Sequence, residues 1–151
     1  MRIFDSYMMV DWSANSTAKT GSDSIWIAWG SSKRSIKLFN PKTRANAMLV
    51  IEELLSKASG KVLAGFDFPF GYPSDAYEKL EISTWSELWD TLTHLIEDSL
   101  DNSNNRLEVA ELLNKNFKSD GPFWGYPRSQ HIKFKHLPFY KPKGFGNNLP
   151  A

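Results

Sequence analysis

The chain of 151 residues contains no cysteine. That removes disulfides, thiolate nucleophiles and zinc–thiolate sites in one step. No apolar run reaches the ~18 residues that a membrane-spanning helix needs, and no charged-then-apolar leader is read at the N-terminus. The expectation is a soluble, cytoplasmic protein with no membrane partner. Bulk charge is lacking too: 18 Lys and Arg stand against 17 Asp and Glu, for a net charge of +1, so the totals do not announce a nucleic-acid binder. Acid is missing from one region in particular. No Asp or Glu follows Asp120, whereas Arg128, Lys133, Lys135, Lys141 and Lys143 do. With Phe134, Phe139, Tyr140 and Phe145 among these cations, the stretch admits nucleic acid as a partner, or else an ordinary solvated surface.

Hydrophobic residues make up 41% and charged residues 23% of the chain, with aromatics at 14% and six Trp. That is the profile of a globular protein rather than a disordered one. A chain of this length buries roughly two-thirds of its unfolded surface. One domain is expected over 1–127, followed by a basic, Pro/Gly/aromatic-rich tail over 128–151.

Tyr7-Met8-Met9-Val10-Asp11-Trp12 is an apolar run ending in an acid, short enough for a buried strand. Residues 13–24 are small and polar and read as a loop. Residues 24–29 and 35–39 then form a hairpin, with Gly30 supplying a positive φ at its turn. Thr43 caps a helix whose apolar face is Met48, Ile51, Leu54, Leu55 and Ala58, with Gly60 at its C′ position. Residues 61–67 give a second short buried strand that also ends in an acid, and 68–73 must be a loop because Pro and Gly break both periodicities.

Thr84 and Glu87 make a capping-box pattern that opens a helix carrying Trp85, Leu88, Trp89, Leu92, Leu95 and Ile96 on one face. Residues 101–106 interrupt it, and a further helix carries Leu107, Ala110, Leu113 and Phe117. Alternation over 130–135 hints at a strand. Trp26, Trp29, Trp85 and Trp89 read as core. His94 reads as a surface residue, and nothing fixes His131 or His136 near an acid. The order of elements implies an α/β protein: a mixed sheet, with a β-hairpin plus parallel strands, and helices packed on it.

Asp11 and Asp67 carry the functional expectation. The strands they end can lie parallel and adjacent, joined by a crossover through the hairpin and first helix. Both carboxylates then meet at the sheet edge where α/β proteins bind ligands. Two acids at that edge repel one another, and a divalent cation relieves the repulsion; oxygen-only ligands select Mg²⁺ or Mn²⁺. The competing reading is that each Asp caps the loop it enters. The cluster Asp101, Asn102, Asn104, Asn105 and Arg106 has two readings as well. Arg106 and the amides are suited to a phosphate, with Asp101 as a third metal ligand, or the cluster is a capped helix junction. Trp124 in Pro122-Phe123-Trp124-Gly125 either stacks on a base or fills core beneath a loop.

Val10-Asp11-Trp12-Ser13-Ala14, Thr20-Gly21-Ser22-Asp23-Ser24-Ile25-Trp26 and Gly65-Phe66-Asp67-Phe68-Pro69-Phe70-Gly71-Tyr72-Pro73 together resemble an uncharacterised bacterial family of predicted nucleases with a ribonuclease H-like fold. The 101–106 and 122–125 segments fit the same resemblance, which covers the chain to about Pro127. It implies that Asp11 and Asp67 are the catalytic, metal-binding acids ending the first and fourth strands, with Mg²⁺ or Mn²⁺ as cofactor and a phosphodiester as substrate. Asn104, Asn105, Arg106 and Trp124 become substrate-binding residues. Such enzymes usually draw further acids from a late helix, and none follows Asp120 here. The expectation is therefore an N-terminal part of a longer fold, its C-terminal part missing. Two alternatives remain open: a nucleotide-binding phosphotransferase of the actin-like superfamily, although Ser13 stands where that superfamily's phosphate loop has Gly, and a non-catalytic domain that binds nucleic acid or a partner chain.

Overall fold

The computed structural model describes residues 3–31, 34–72, 74–117, 121–127 and 133–140. The elements follow the chain as β1 (Ser6–Asp11), β2 (Trp26–Ser31), β3 (Arg34–Phe39), α1 (Arg44–Ser56), β4 (Val62–Phe66), α2 (Ser74–Lys79), α3 (Trp85–Leu95) and α4 (Arg106–Asn114). The four strands form one mixed sheet in the order β3-β2-β1-β4. β1 pairs antiparallel with β2, and β2 with β3, while β1 and β4 run parallel. The chain is thus an α/β protein, and among the described residues the parallel pair joins the two acid-ended runs, as expected.

Backbone packing divides the chain into two compact units. The first is Met1–Phe68 with Asp98–Ser103, and the second is Pro69–Glu97 with Asn104–Ala151. In the first unit, strict alternation along β1 sends Met8 and Val10 inward, where they join Ile25, Ile27, Ala47 and Ile51 in a closed apolar core. The opposite face of β1 is open: Met9 is 57% exposed where its neighbour Met8 is fully buried. Period-two alternation at one buried face produces this contrast.

α1 begins where the sequence places it. The Thr43 hydroxyl accepts from the Asn46 amide at 3.1 Å, satisfying one of the helix's orphan donors. Its inward face differs from the expected one, however. Arg44, Ala47 and Ile51 are buried, whereas Met48 and Leu55 lie at the surface. The apolar residues thus overstate the stripe that meets the sheet.

Two glycines have roles other than those expected. Gly30 lies within β2, and the described left-handed glycines are Gly21, Gly60 and Gly125. A Cβ at Gly30 would come 3.3 Å from Ile36 Cγ1, so close approach of β3 is what favours glycine there. Gly60 is left-handed (φ +87°) but follows the α1 C-cap Lys57 by three residues. It turns the chain into β4, and a Cβ on it would come 2.3 Å from the Asp5 carboxylate, which accepts from the Lys61 amide at 2.9 Å.

β4 is also less enclosed than its apolar run suggests. It is an edge strand, with Leu63 and Ala64 exposed.

In the second unit, Ile82, Leu88, Leu92, Val109 and Leu113 form a separate core, with Tyr72, Tyr77, Trp89 and Phe123 packed around it. The Thr84 hydroxyl accepts from the Glu87 amide at 3.1 Å, and the Glu87 carboxylate accepts from Ser83 N at 2.8 Å, a capping box displaced by one residue. The short helix α2 was not expected, since six residues with one buried Ala76 offer no period to read. Of the four tryptophans read as core, Trp29 and Trp89 pack against apolar clusters. Trp26 (36% exposed) and Trp85 (56%) are surface residues.

Residues 133–140 are anchored to α4. The Glu111 carboxylate accepts from the backbone amides of Lys135 (3.1 Å) and His136 (2.7 Å), and the Lys133 ammonium pairs with Glu108. Phe134 and Leu137 are buried, so this part of the expected tail is packed structure, and no strand forms over 133–135. Residues 32–33, 73, 128–132 and 141–151, which include Pro73, Arg128, His131, Lys141, Lys143 and Phe145, lie outside the described residues.

Candidate functional site

Register decides which acids meet. Val10 lies opposite Phe66 in the parallel pair, and the Asp67 amide donates to the Val10 carbonyl at 3.2 Å. The ladder therefore runs one residue past β4 and brings Asp67 level with Asp11 at the carboxyl ends of both strands. The register makes the two acids neighbours, and both residues are exposed. Side-chain interaction with Asp67 pushes the Asp11 carboxyl above the usual carboxylate range, with smaller contributions from burial and from repulsion by the Asp67 charge.

Asp67 is held from β1 as well. The Trp12 amide donates to Asp67 Oδ1 at 2.7 Å. Aromatic residues neighbour the acids along the chain and across the sheet: Trp12 meets Phe68 edge-on at 6.4 Å, Phe68 tilts against Phe66 at 5.2 Å, and Trp26 is the cross-strand neighbour of Asp11. Two exposed carboxylates at one sheet end are the kind of oxygen donor Mg²⁺ accepts, since Mg²⁺ usually keeps several waters and takes one or two protein carboxylates.

Asp101 belongs to the same unit but is engaged locally. Its Oδ1 accepts from Ser103 N at 2.9 Å and Ser103 Oγ at 2.7 Å, bonds that hold its carboxyl below the usual range. Among the described residues no three His, Asp or Glu side chains gather as a metal-ligand group. The structure thus brings Asp11 and Asp67 together without Asp101.

Asn104, Asn105 and Arg106 lie in the second unit, where the chain enters α4. Asn104 Oδ1 accepts from Arg106 N (3.3 Å) and Nη1 (3.1 Å), and the Asn105 amide bonds Glu97 N (2.8 Å) and the Leu95 carbonyl (3.0 Å) at the end of α3. Trp124 is half-buried, and its Nε1 is shielded without a partner among the described residues. Asn102 is an element of the first unit's framework. It is buried with φ +77°; its Oδ1 accepts from the Arg44 amide at 2.8 Å, and its Nδ2 donates to the Thr17 carbonyl at 3.3 Å.

The sequence reading missed Arg44 and Asp98. The Arg44 guanidinium, 9% exposed, forms a bidentate pair with Asp98 at 2.6 and 2.5 Å. A cation in the first turn of a helix opposes the helix dipole. That misfit was the available signal.

No protein-family model, curated protein or solved structure matches the chain. No family is identified. The sheet and the carboxylate pair carry the functional reading.

Proposed function

We propose that Asp11 and Asp67 form a divalent-cation site and that the chain is a metal-dependent phosphodiester hydrolase with a ribonuclease H-like fold. The observation that carries this reading is the register that sets two exposed acids side by side at the adjacent ends of parallel strands. Unrelieved, that placement is unfavourable, because the Asp11 carboxyl must either keep its proton or face a neighbouring negative charge. Asp11 ends the first strand and Asp67 directly follows the fourth, the strands to which the resemblance assigns catalytic acids.

A Mg²⁺ or Mn²⁺ ion at such a site supplies Lewis-acid stabilisation of a phosphoryl oxygen and a water of lowered pKa. The chain's own contribution is to hold the ligands. The Trp12 amide fixes the orientation of Asp67 through Oδ1, and register fixes Asp11 beside it. Nucleic acid is the substrate class, with exposed Trp26 and Phe68 in the same unit suited to stacking on bases.

The test is hydrolysis of single- and double-stranded DNA and RNA with Mg²⁺, with Mn²⁺ and with chelator. Metal-dependent cleavage that Asp67→Asn abolishes is the expected result. A folded wild type that cleaves none of these polymers overturns the assignment as a nuclease.

A further inference from the structure

We infer that Arg44, held by Asp98, is the positioning residue of the Asp11–Asp67 site. The inference rests on the reading of that pair as a cation site. All five guanidinium N–H donors of Arg44 are engaged. Nε and Nη2 grip Asp98, Nη2 also donates to the Asn102 carbonyl at 2.7 Å, and Nη1 donates to the carbonyls of Ser13 (3.1 Å) and Asn15 (3.0 Å). These carbonyls belong to the loop that leaves β1. One residue before Ser13 is Trp12, whose amide holds Asp67 Oδ1 at 2.7 Å.

A continuous path therefore runs from Asp98 through Arg44 to the Ser13 backbone, and from there through Trp12 N–H to the Asp67 carboxylate. Residues 13–24 form no helix or strand, so their first residues need side-chain anchors to keep one conformation. Arg44 supplies two bonds there from a rigid, buried fork. Lysine has three donors around a single atom and cannot reproduce the arrangement. Groups that orient a metal ligand without touching the metal typically change affinity 10–100-fold when removed.

The test uses the full chain with Arg44→Lys, Asp98→Asn, Asp98→Glu and, as a control in the same core, Ile51→Val. Two quantities are read on variants shown to be folded by circular dichroism: the metal-free amide proton shift and exchange rate of Trp12, and the affinity for Mn²⁺ by calorimetry. Arg44→Lys and Asp98→Asn are expected to shift the Trp12 amide, speed its exchange and weaken Mn²⁺ binding about tenfold. Asp98→Glu is expected to recover part of both, and Ile51→Val to change neither.

An unmoved Trp12 amide in folded Arg44→Lys or Asp98→Asn overturns the proposal, as does unchanged Mn²⁺ affinity. Equal losses in Ile51→Val overturn it too, because they mark a general loosening. Should Arg44→Lys not fold, Asp98→Asn decides, since it keeps the size of the partner side chain. A wild type that binds no Mn²⁺ removes the cation reading instead, and the Trp12 amide alone then decides whether Arg44 sets the loop.

Discussion

The amide of Trp12 donates to Oδ1 of Asp67 at 2.7 Å, across 55 residues of sequence. The residue that follows one acid thus orients the other. Neither carboxylate's position is independent, because both depend on where the chain leaves β1 and on the register between β1 and β4.

On the proposed reading, cation binding at the carboxyl pair depends on pH. Side-chain interaction with Asp67, then burial, then repulsion raise the Asp11 pKa, and a ligating carboxylate must be deprotonated. Mn²⁺ affinity is expected to fall as the pH drops through that raised value, at a higher pH than an ordinary Asp would give. Calorimetry at a series of pH values checks this. With Asp67→Asn, the titration of Asp11, followed by carboxyl carbon chemical shift, should move down towards the usual range.

The same pair should cost stability when no metal is present. A carboxyl whose folded pKa is raised contributes stability that is present below its unfolded pKa and lost as pH rises through its folded value. Above that value the two charges repel. Asp11→Asn is therefore expected to raise the metal-free Tm at neutral pH, on the order of 1–2 °C for an exposed pair, and to abolish the rise that the proposed site predicts for the wild type with Mn²⁺. Differential scanning calorimetry with and without Mn²⁺ reads both effects.

Asn102 is buried, left-handed and bonded to the backbone of Arg44 and Thr17. Alanine there loses those bonds and keeps a side chain at positive φ. The expected cost is about 2–3 kcal/mol in urea unfolding. Glycine loses the same bonds without the backbone strain, so Asn102→Gly should be less destabilising than Asn102→Ala.

Glu111 holds the segment 133–140 by accepting two backbone amides, those of Lys135 and His136. Glu111→Ala leaves both donors to water and is expected to cost about 1–2 kcal/mol. Hydrogen exchange should quicken at Lys135 and His136 more than in β1 or β2. Glu111→Gln, which retains one acceptor oxygen, should fall between the two.

The parts of the fold legible in sequence were those with strong local signals. Alternation at Met8, Met9 and Val10 marks β1 and its inward face. Thr43 and Thr84 mark helix starts, and two apolar runs ending in acids imply a parallel pair with Asp11 beside Asp67. Arg44 stayed hidden because a basic residue at a helix end reads as solvated until the segment carrying Asp98 is brought to it by the fold. β4 looked buried because an apolar run does not reveal whether a strand is central or at an edge. The segment 133–140 looked like a tail by composition, since its anchors, Glu108 and Glu111, lie on α4, more than twenty residues upstream. The amides of Asn104 and Asn105 bond to Arg106 and to the end of α3, and the N-cap Asn105 makes no side-chain cap bond to α4.

The most direct test of the central claim is Mn²⁺ titration calorimetry on the wild type, Asp11→Asn and Asp67→Asn, each confirmed folded by circular dichroism. Saturable binding in the wild type that both substitutions abolish is the predicted result. A folded wild type that takes up no Mn²⁺, or binding that survives both substitutions, contradicts the assignment of Asp11 and Asp67 as a shared cation site.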